Sequence, residues 1–576
     1  MKIPFMALDE YLFNYKKTGT LAPLANKREY CEDEKTVLLH FFTNIDKNVY
    51  CAKDTLSSQL WAFLVGQYSR SSLSMRDRFL QLFDDAEKAH SKGKIKKGDF
   101  VSLYELADAI EKRDFESIDY FNQKASSFLK RWGVKYGHNS LKDADRIRFA
   151  IEGVSQVCTK AIESPFPTLG DFQEKSTRYM NFGKESVIFS PVLAKSEFGD
   201  EIYGMNCKLM DIYQKYSSIV KEVLLSRGIV KREEFKDGKA FEDTLNAKTF
   251  DIIRYALPSG VRTCLGAGFS ARTTESHLSE LLSHPIAEVK MVATTMWEEA
   301  MKMSPALLSH VGENEYFVSK QKKSSELTNK IFNEYNFGEI IKGIENGERV
   351  KLISADDIDE VVTASILFEY GRAKGVSFSE CLNKAKSMCN EEKDKIIASE
   401  LDGRGEFDRM PRTIRHGRIM CEFFHDFGGY RDIQRHRASE QQWQGATAIH
   451  GFDYPEYADF DELKDFKGEY NEAMTEVTKL SRKVIGKHPY EAEYVSALGH
   501  LVRQTFEMHP GHLAYVIELR TTPQGHQSYR RIFQEVYKLM LEKAPLFTKH
   551  IKVNQDSEAS RRKQEEKAAE KKKVYC

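Results

Sequence analysis

Apolar residues recur along most of this chain at helical spacing. Leu209, Met210, Ile212, Tyr213, Tyr216, Ile219, Val220 and Val223 fall mostly on one face of a helix that Gly228 ends. A counterpart lies downstream in Ala473, Met474, Val477, Leu480 and Val484, closed by Gly486 and Pro489. The stretch from Trp61 to Tyr68 also reads as helical and belongs to an N-terminal extension. Strand-like runs are short: Thr36 to Phe42, and Val187-Ile188-Phe189 before Pro191. The apolar pattern breaks at 319–350, around Ser319–Ser325 and Glu345-Asn346-Gly347-Glu348. That break predicts a first domain over 1–320, a second over 345–552, and a charged tail over 553–576 that reads as a solvated or disordered end.

The order of elements repeats. Arg146–Glu163 aligns by pattern with Arg418–Arg435, and Arg254–Lys290 with Glu493–Arg530. At 576 residues the chain has room for two such domains and their cores. Lys+Arg and Asp+Glu are equal at 86 each, so no global basic field points to nucleic acid. Any anion must be held by local arginines. No apolar run reaches the roughly 18 residues of a membrane span, and the first residues show no signal-peptide apolar region. Nine cysteines are scattered without a Cys-x-x-Cys pair, which predicts reduced thiols in a soluble cytoplasmic protein rather than a zinc site or disulfides.

Two polar segments stand out. Arg435-His436-Arg437 follows an aromatic lead-in of Phe423, Phe424, Phe427 and Tyr430; Gln173-Glu174-Lys175-Ser176-Thr177-Arg178-Tyr179 follows Phe149–Ser155. Together they resemble the signature of the flavin-dependent thymidylate synthase family: an Arg-His-Arg triplet, a spacer, then Asn-Glu-x-Ser-x-Arg-Tyr. The resemblance covers most of 130–310 and about 350–545, and it is divided between the copies. The first keeps Ser176, Arg178 and Tyr179 but has Glu163-Ser164-Pro165 where the triplet belongs. The second keeps the triplet, but Ala438–Trp443 has no match to the Ser-x-Arg-Tyr end. His138-x-Ser140-x-x-Asp143 resembles a flavin- and folate-contacting element of the family. Arg254–Pro258 resembles its Arg-x-x-Leu-Pro, whose arginine holds the substrate phosphate; Glu493 stands there in the second copy. Ser270-Ala271-Arg272 sits at a flavin-contacting Asn-Ala-Arg. Ser283-His284 and Glu288 match the helix start that follows, but the dUMP-activating arginine is missing before it. Arg520, followed by His526-Gln527, restores that arginine in the second copy. Asp432 replaces the usual glutamine three residues before the triplet.

The resemblance implies an α/β (α+β) protein of two tandem flavin-dependent thymidylate synthase-like domains, helix-rich with short sheets. It also implies a homodimer whose four copies form a pseudo-tetramer. The expected reaction methylates dUMP to dTMP, with methylenetetrahydrofolate as carbon donor, FAD as hydride carrier and NADPH as reductant. Substrate-binding residues by the same resemblance are Glu174, Lys175, Ser176, Thr177, Arg178, Arg254, Asp432, Arg435 and Arg520. Arg178 and Arg254 would bond the phosphate, since charge-assisted guanidinium–phosphate bonds are strong. Arg435, His436, Arg437, Ser140, Asp143, Ser270 and Arg272 would hold the flavin. Arg520 and Ser176 are the expected catalytic pair, the guanidinium stabilising charge that develops on the uracil. Each copy keeps what the other has lost, so complete sites would be rebuilt from both, within one chain or with a partner chain.

Other readings compete. Gly266-Ala267-Gly268-Phe269-Ser270-Ala271 fits a dinucleotide-binding pattern, but without a clear strand before it its glycines read better as easing close helix packing. His500, His509 and His512 lack a recognised metal-ligand spacing, so no metal is expected. Arg520 has Glu518 and Asp556 as alternative surface partners. Cys158 and Cys264 read as buried core residues. The rival to an enzyme is a catalytically inactive nucleotide- or flavin-binding scaffold or regulator.

Overall fold

A computed structural model describes residues 28–556 apart from 69–70, 72, 97, 99, 113–126, 128–130, 132–134, 136–138, 165–169, 189, 236, 333–347, 406–407 and 524. His138, Phe189, part of the expected boundary and the tail beyond 556 lie outside the described residues. The chain forms two compact units from interleaved segments. The first comprises 1–214, 258–335 and 483–495; the second comprises 215–257, 336–482 and 496–576. A linear partition would have kept 215–257 with the first half and 483–495 with the second. These segments trade places instead, and the change falls inside the two counterpart helices Gly199–Ser226 and Lys464–Ile485. Helical periodicity shows which face is buried, not which sheet buries it.

The first unit carries strands β1 (Val49–Ala52), β2 (Arg146–Ser155), β3 (Asp171–Glu174) and β4 (Arg262–Ser270) in the antiparallel order β1-β2-β4-β3. The β2–β4 register shifts between Glu152 and Val154. Gly153 between them has φ +69°, a left-handed backbone that glycine adopts without strain, and the resulting bulge adds a residue to β2. Helices α1 (Glu32–Phe41), α2 (Ser58–Tyr68) and α3 (Met75–Ser91) cover one sheet face: Val37, Leu38, Leu64 and Phe79 share an apolar cluster with Ala150 and Cys264. The strand expected over Thr36–Phe42 is therefore a helix. Glu32, Asp33 and Glu34 suit a helix N-terminus, Glu34 closes a capping box with Cys31, and the apolar run is the buried face. Val187 makes only an isolated bridge to Val261. Gly266-Ala267-Gly268 lies inside β4, where a Cβ on Gly266 would stand 3.1 Å from Val65 of α2. The glycines admit a close helix, as expected, but from within an antiparallel strand.

Beyond β2, helix α4 (Gln156–Ile162) is capped by Ser155. Helix α5 (Gly199–Ser226) ends before Gly228, which has φ +65°. Helix α6 (Gly238–Ile253) then leads to Arg254, and α7 (Ala271–Leu282) and α8 (Ala287–Met303) follow β4.

The second unit repeats this plan with β5 (Val350–Ala355), β6 (Ile419–Asp426), β7 (Glu440–Trp443) and β8 (Leu501–Met508), in the same antiparallel order β5-β6-β8-β7. Its helices are α9 (Ile358–Tyr370), α10 (Phe427–Ile433), α11 (Lys464–Ile485), α12 (Pro510–Arg520) and α13 (Gln527–Lys543). Ile358, Val362, Leu513, Ile517, Phe533 and Val536 pack with Cys421, Phe423 and Phe506 of the sheet. The protein is thus a helix-rich α+β fold with two small four-stranded sheets. Among the described residues no helix is long and apolar enough to cross a membrane.

The bulge also corrects the alignment of the repeats. Gln156 and Phe427 both open the helix after their strand, so Glu163 corresponds to Gln434, each a helix C-cap. The match of Arg146–Glu163 to Arg418–Arg435 holds along the strand and slips by one residue past Gly153. The triplet's place in the first unit therefore starts at Ser164.

Candidate functional site

In the second unit the short helix α10 organises the chemistry. At its end the chain turns so that His436 is buried while Arg435 and Arg437 are exposed. Arg520 is the last residue of α12, where the helix dipole favours a cation. Its Nε donates to His436 Nε2 at 2.6 Å and its Nη2 to the Asp432 carbonyl at 2.5 Å. His436 Nε2 therefore accepts, and the ring's proton sits on Nδ1. Burial, then the Arg520 charge, hold the His436 pKa well below the usual imidazole range. Arg435 Nη1 lies 3.4 Å from Asp432 Oδ1. The side-chain amide of Gln441 donates to the His436 carbonyl at 2.9 Å, tying β7 to the triplet. Trp443 stacks on Tyr430 with ring centroids 4.4 Å apart. Arg520 does not use the surface partners open to it in sequence: Glu518 bonds Arg404, and the Asp556 carbonyl accepts from Arg530.

At the start of α10 stands a group that sequence reasoning missed. Asp426, 1% exposed, caps the helix by accepting from the Gly429 N–H at 2.7 Å, and the Ser528 hydroxyl donates to its other oxygen. Arg254 flanks the same turn: a Cβ on Gly428 would lie 3.0 Å from Asp426 Oδ1 and 3.7 Å from Arg254 Nε. Arg254 is 2% exposed, and its Nε and Nη2 have no acceptor among the described residues. Burial pushes the Asp426 carboxyl up to about 6, against the Ser528 bond and the Arg254 charge, which pull it down.

The first unit shows the same positions with the chemistry exchanged. Ser155 caps α4 where Asp426 caps α10, and Glu288 sits second in α8 where Ser528 sits second in α13. The Ser155 hydroxyl donates to Glu288 at 2.5 Å and its N–H donates at 2.9 Å; the Tyr494 hydroxyl also donates to Glu288. Carboxylate and hydroxyl have swapped places between the repeats, and Glu493 stands where the second unit has Arg254. A helix cap and a second helical residue that trade Ser and acid between repeats were the available sequence signal.

Other expected site residues fall in the first unit. Glu174 is buried, its carboxylate taking bonds from Lys160 Nζ and Thr159 Oγ1, both at 3.1 Å; Lys160 also bonds Glu163. Lys175 donates its N–H to the Cys264 carbonyl at 2.9 Å, continuing the β3 edge. Ser176 Oγ accepts from the Arg178 N–H at 3.2 Å; Thr177 and Arg178 are buried. Asp143 gathers Ser270 Oγ at 3.4 Å and Arg272 Nη1 at 3.3 Å, while Ser140 is exposed. Lys160 is fully buried between two carboxylates, so Lys160→Met removes the cation that both share. The expected cost is about 3 kcal/mol of stability, read as a lower urea midpoint.

The described contacts thus assemble Asp432, Arg435, His436 and Arg520 as one group and bring Arg254 to Asp426. Two like α+β units, one with a buried arginine and a basic triplet around a single short helix, define a protein of repeat construction. Residues 96–306 match the family model described as thymidylate synthase complementing protein. That match covers the part of the chain that carries β2, β3 and β4 of the first sheet. The chain is also 27% identical to a UPF0159 protein of Chlamydia pneumoniae, over 91% of this chain and 95% of that one. A UPF0159 protein of Thermoplasma acidophilum is 23% identical over 77% of this chain and 92% of that one. Among solved structures, a UMP/dUMP methylase PolB from Streptomyces cacaoi bound with 5-Br dUMP is 13% identical. It covers 35% of this chain and 93% of its own, at a TM-score of 0.27.

Proposed function

We propose that this protein is a flavin-dependent thymidylate synthase-like enzyme that methylates dUMP to dTMP, with methylenetetrahydrofolate as carbon donor and NADPH as reductant. One observation carries the reading: residues from three distant stretches of sequence, Arg254, the Asp432–Arg437 turn and Arg520, meet at the two ends of α10. The unfilled donors of buried Arg254 fit a phosphate. Exposed Arg435 and Arg437 fit a polyanionic dinucleotide such as FAD, which when bound would supply the hydride. Ser176 and Arg178 join the substrate set, with Glu174, Lys175 and Thr177, by their motif. Ser140, Asp143, Ser270 and Arg272 join the flavin set in the same way. Arg520, fixed by His436 and Asp432, places a cation whose orientation is set before the base arrives. We place the enzyme in the cytoplasm as a homodimer.

The test is a visible absorption spectrum of the purified protein followed by a dTMP assay. Flavin bands near one per chain and dTMP formation dependent on methylenetetrahydrofolate and NADPH are expected; a protein that stays colourless with FAD and dUMP and makes no dTMP sinks the reading. Arg435→Ala is expected to lower the bound flavin at least tenfold. A second reading, an inactive scaffold, draws on the first unit, where Lys160, Glu163 and Glu174 satisfy one another beside the motif. It predicts flavin without turnover.

A further inference from the structure

Arg254 is buried with two nitrogens lacking an acceptor among the described residues, and Asp426 shares the turn with it. We propose that Asp426 is the positioning residue and internal counter-ion of Arg254, and that it takes up a proton when Arg254 receives the dianionic phosphate of a nucleoside monophosphate. The inference rests on the reading of Arg254 as a phosphate ligand and adds a proton to that binding step.

Without ligand, a buried guanidinium is tolerable because an ionised carboxylate balances it nearby. Bringing a phosphate of charge near −2 to Arg254 places like charges on either side of Gly428. Inside the protein that repulsion is screened weakly. The least costly relief is a proton on Asp426, which restores one cation facing one anion. The local hydrogen bonds permit it. Asp426 is held by a hydroxyl, Ser528, which can turn from donor to acceptor when the carboxyl gains its proton. Its other bond, from the Gly429 N–H, is unaffected by the change. A carboxyl already raised to about 6 by burial starts part of the way to holding that proton, and the phosphate charge must supply the rest.

The groups facing Asp426 come from every element packed around it. Besides Arg254 and Ser528 they are Asp453, itself paired with Arg349 at 3.2 Å, and the buried phenols of Tyr255 and Tyr470. His526 lies behind Tyr255, ring centroids 5.9 Å apart. In the first unit Glu288 is held by Ser155 and Tyr494, and the cation acting on it is buried Arg262 rather than a residue at the Glu493 position.

Calorimetric titration of the full-length protein with sulfate, whose charge stays at −2, and with dUMP tests this from pH 6.5 to 8.5. For the wild type, sulfate affinity is expected to fall close to tenfold per pH unit, the slope for one proton taken up. In buffers of different ionisation enthalpy the uptake should approach one proton. Asp426→Asn, which keeps an acceptor for Gly429, is expected to bind sulfate with less than a twofold change across the range. Ser528→Ala removes a donor to the carboxylate and should move the onset of the slope to higher pH. A wild-type profile that is flat, or an Asp426→Asn profile as steep as wild type, overturns the proposal. The underlying reading fails separately: Arg254→Ala that still binds sulfate and dUMP normally removes the phosphate assignment itself. Loss of binding in Arg254→Ala with an unchanged slope in Asp426→Asn discards only the proton.

Discussion

Replacing Arg520 by alanine is expected to lower the kcat for dTMP formation by about 10²–10³-fold, the usual effect of removing one fixed donor aimed at developing charge. The structure explains why a fixed rather than a mobile cation is at stake. Arg520 uses Nε on His436 and Nη2 on the Asp432 carbonyl, so its plane is set by two bonds before any ligand arrives. Its guanidinium carbon also lies 5.2 Å from the Tyr529 ring centroid. Alanine deletes the charge and leaves His436 Nε2 without its donor, while lysine keeps the charge but not the fork. Arg520→Lys is therefore expected to recover only a small part of the lost rate. KM for dUMP should move less than kcat, because the proposed phosphate ligand is Arg254 and not Arg520. A second readout separates this from misfolding: without the adjacent guanidinium, His436 should titrate closer to an ordinary imidazole, visible by NMR. Activity within a few-fold of wild type in Arg520→Ala would remove Arg520 from the chemistry.

Much of this arrangement was legible in the chain. The triplet, Arg254 and Arg520 are separate motif fragments in sequence, and the order of strands and helices around them repeats as the pattern suggested. What could not be read is physical in origin. The single residue added at Gly153 is silent in an apolar pattern, yet it shifts the correspondence through the end of β2 and α4 by one. The run from Thr36 to Phe42 has the composition of a strand, and only its cap at Cys31 and Glu34 marks it as a helix. Asp426 carries no motif, because a lone acid before an apolar helix is an ordinary cap; its weight comes from Ser528 and Arg254, 102 residues downstream and 172 upstream. The exchange of 215–257 and 483–495 between units could not be seen either, since both repeats offer a similar sheet.

Acid is expected to unfold the second unit well before its carboxylates titrate in bulk. His425, His450 and His500 are buried, and burial pushes each of them down to about 4. In the unfolded chain an imidazole titrates near 6.5. Between about 6.5 and 4 the unfolded state therefore binds protons that the folded state refuses, so stability is lost as pH falls through that window. Each ring accounts for about 3 kcal/mol at 1.36 kcal/mol per unit. Asp426 acts in the opposite sense: raised to about 6, it binds its proton in the folded state first and returns roughly 3 kcal/mol over nearly the same range. One carboxyl against three imidazoles leaves a net loss of several kcal/mol, a large share of the 5–15 kcal/mol that holds a typical protein folded. Urea unfolding followed by far-UV dichroism should show a midpoint at pH 4.5 far below that at pH 7. His500→Gln, which removes one imidazole whose ring nitrogen accepts from the Ala497 N–H at 2.9 Å, should be less stable at pH 7 yet flatten the decline. A midpoint that holds steady from pH 7 to 4.5 would mean that these rings find protons and partners in the folded state after all.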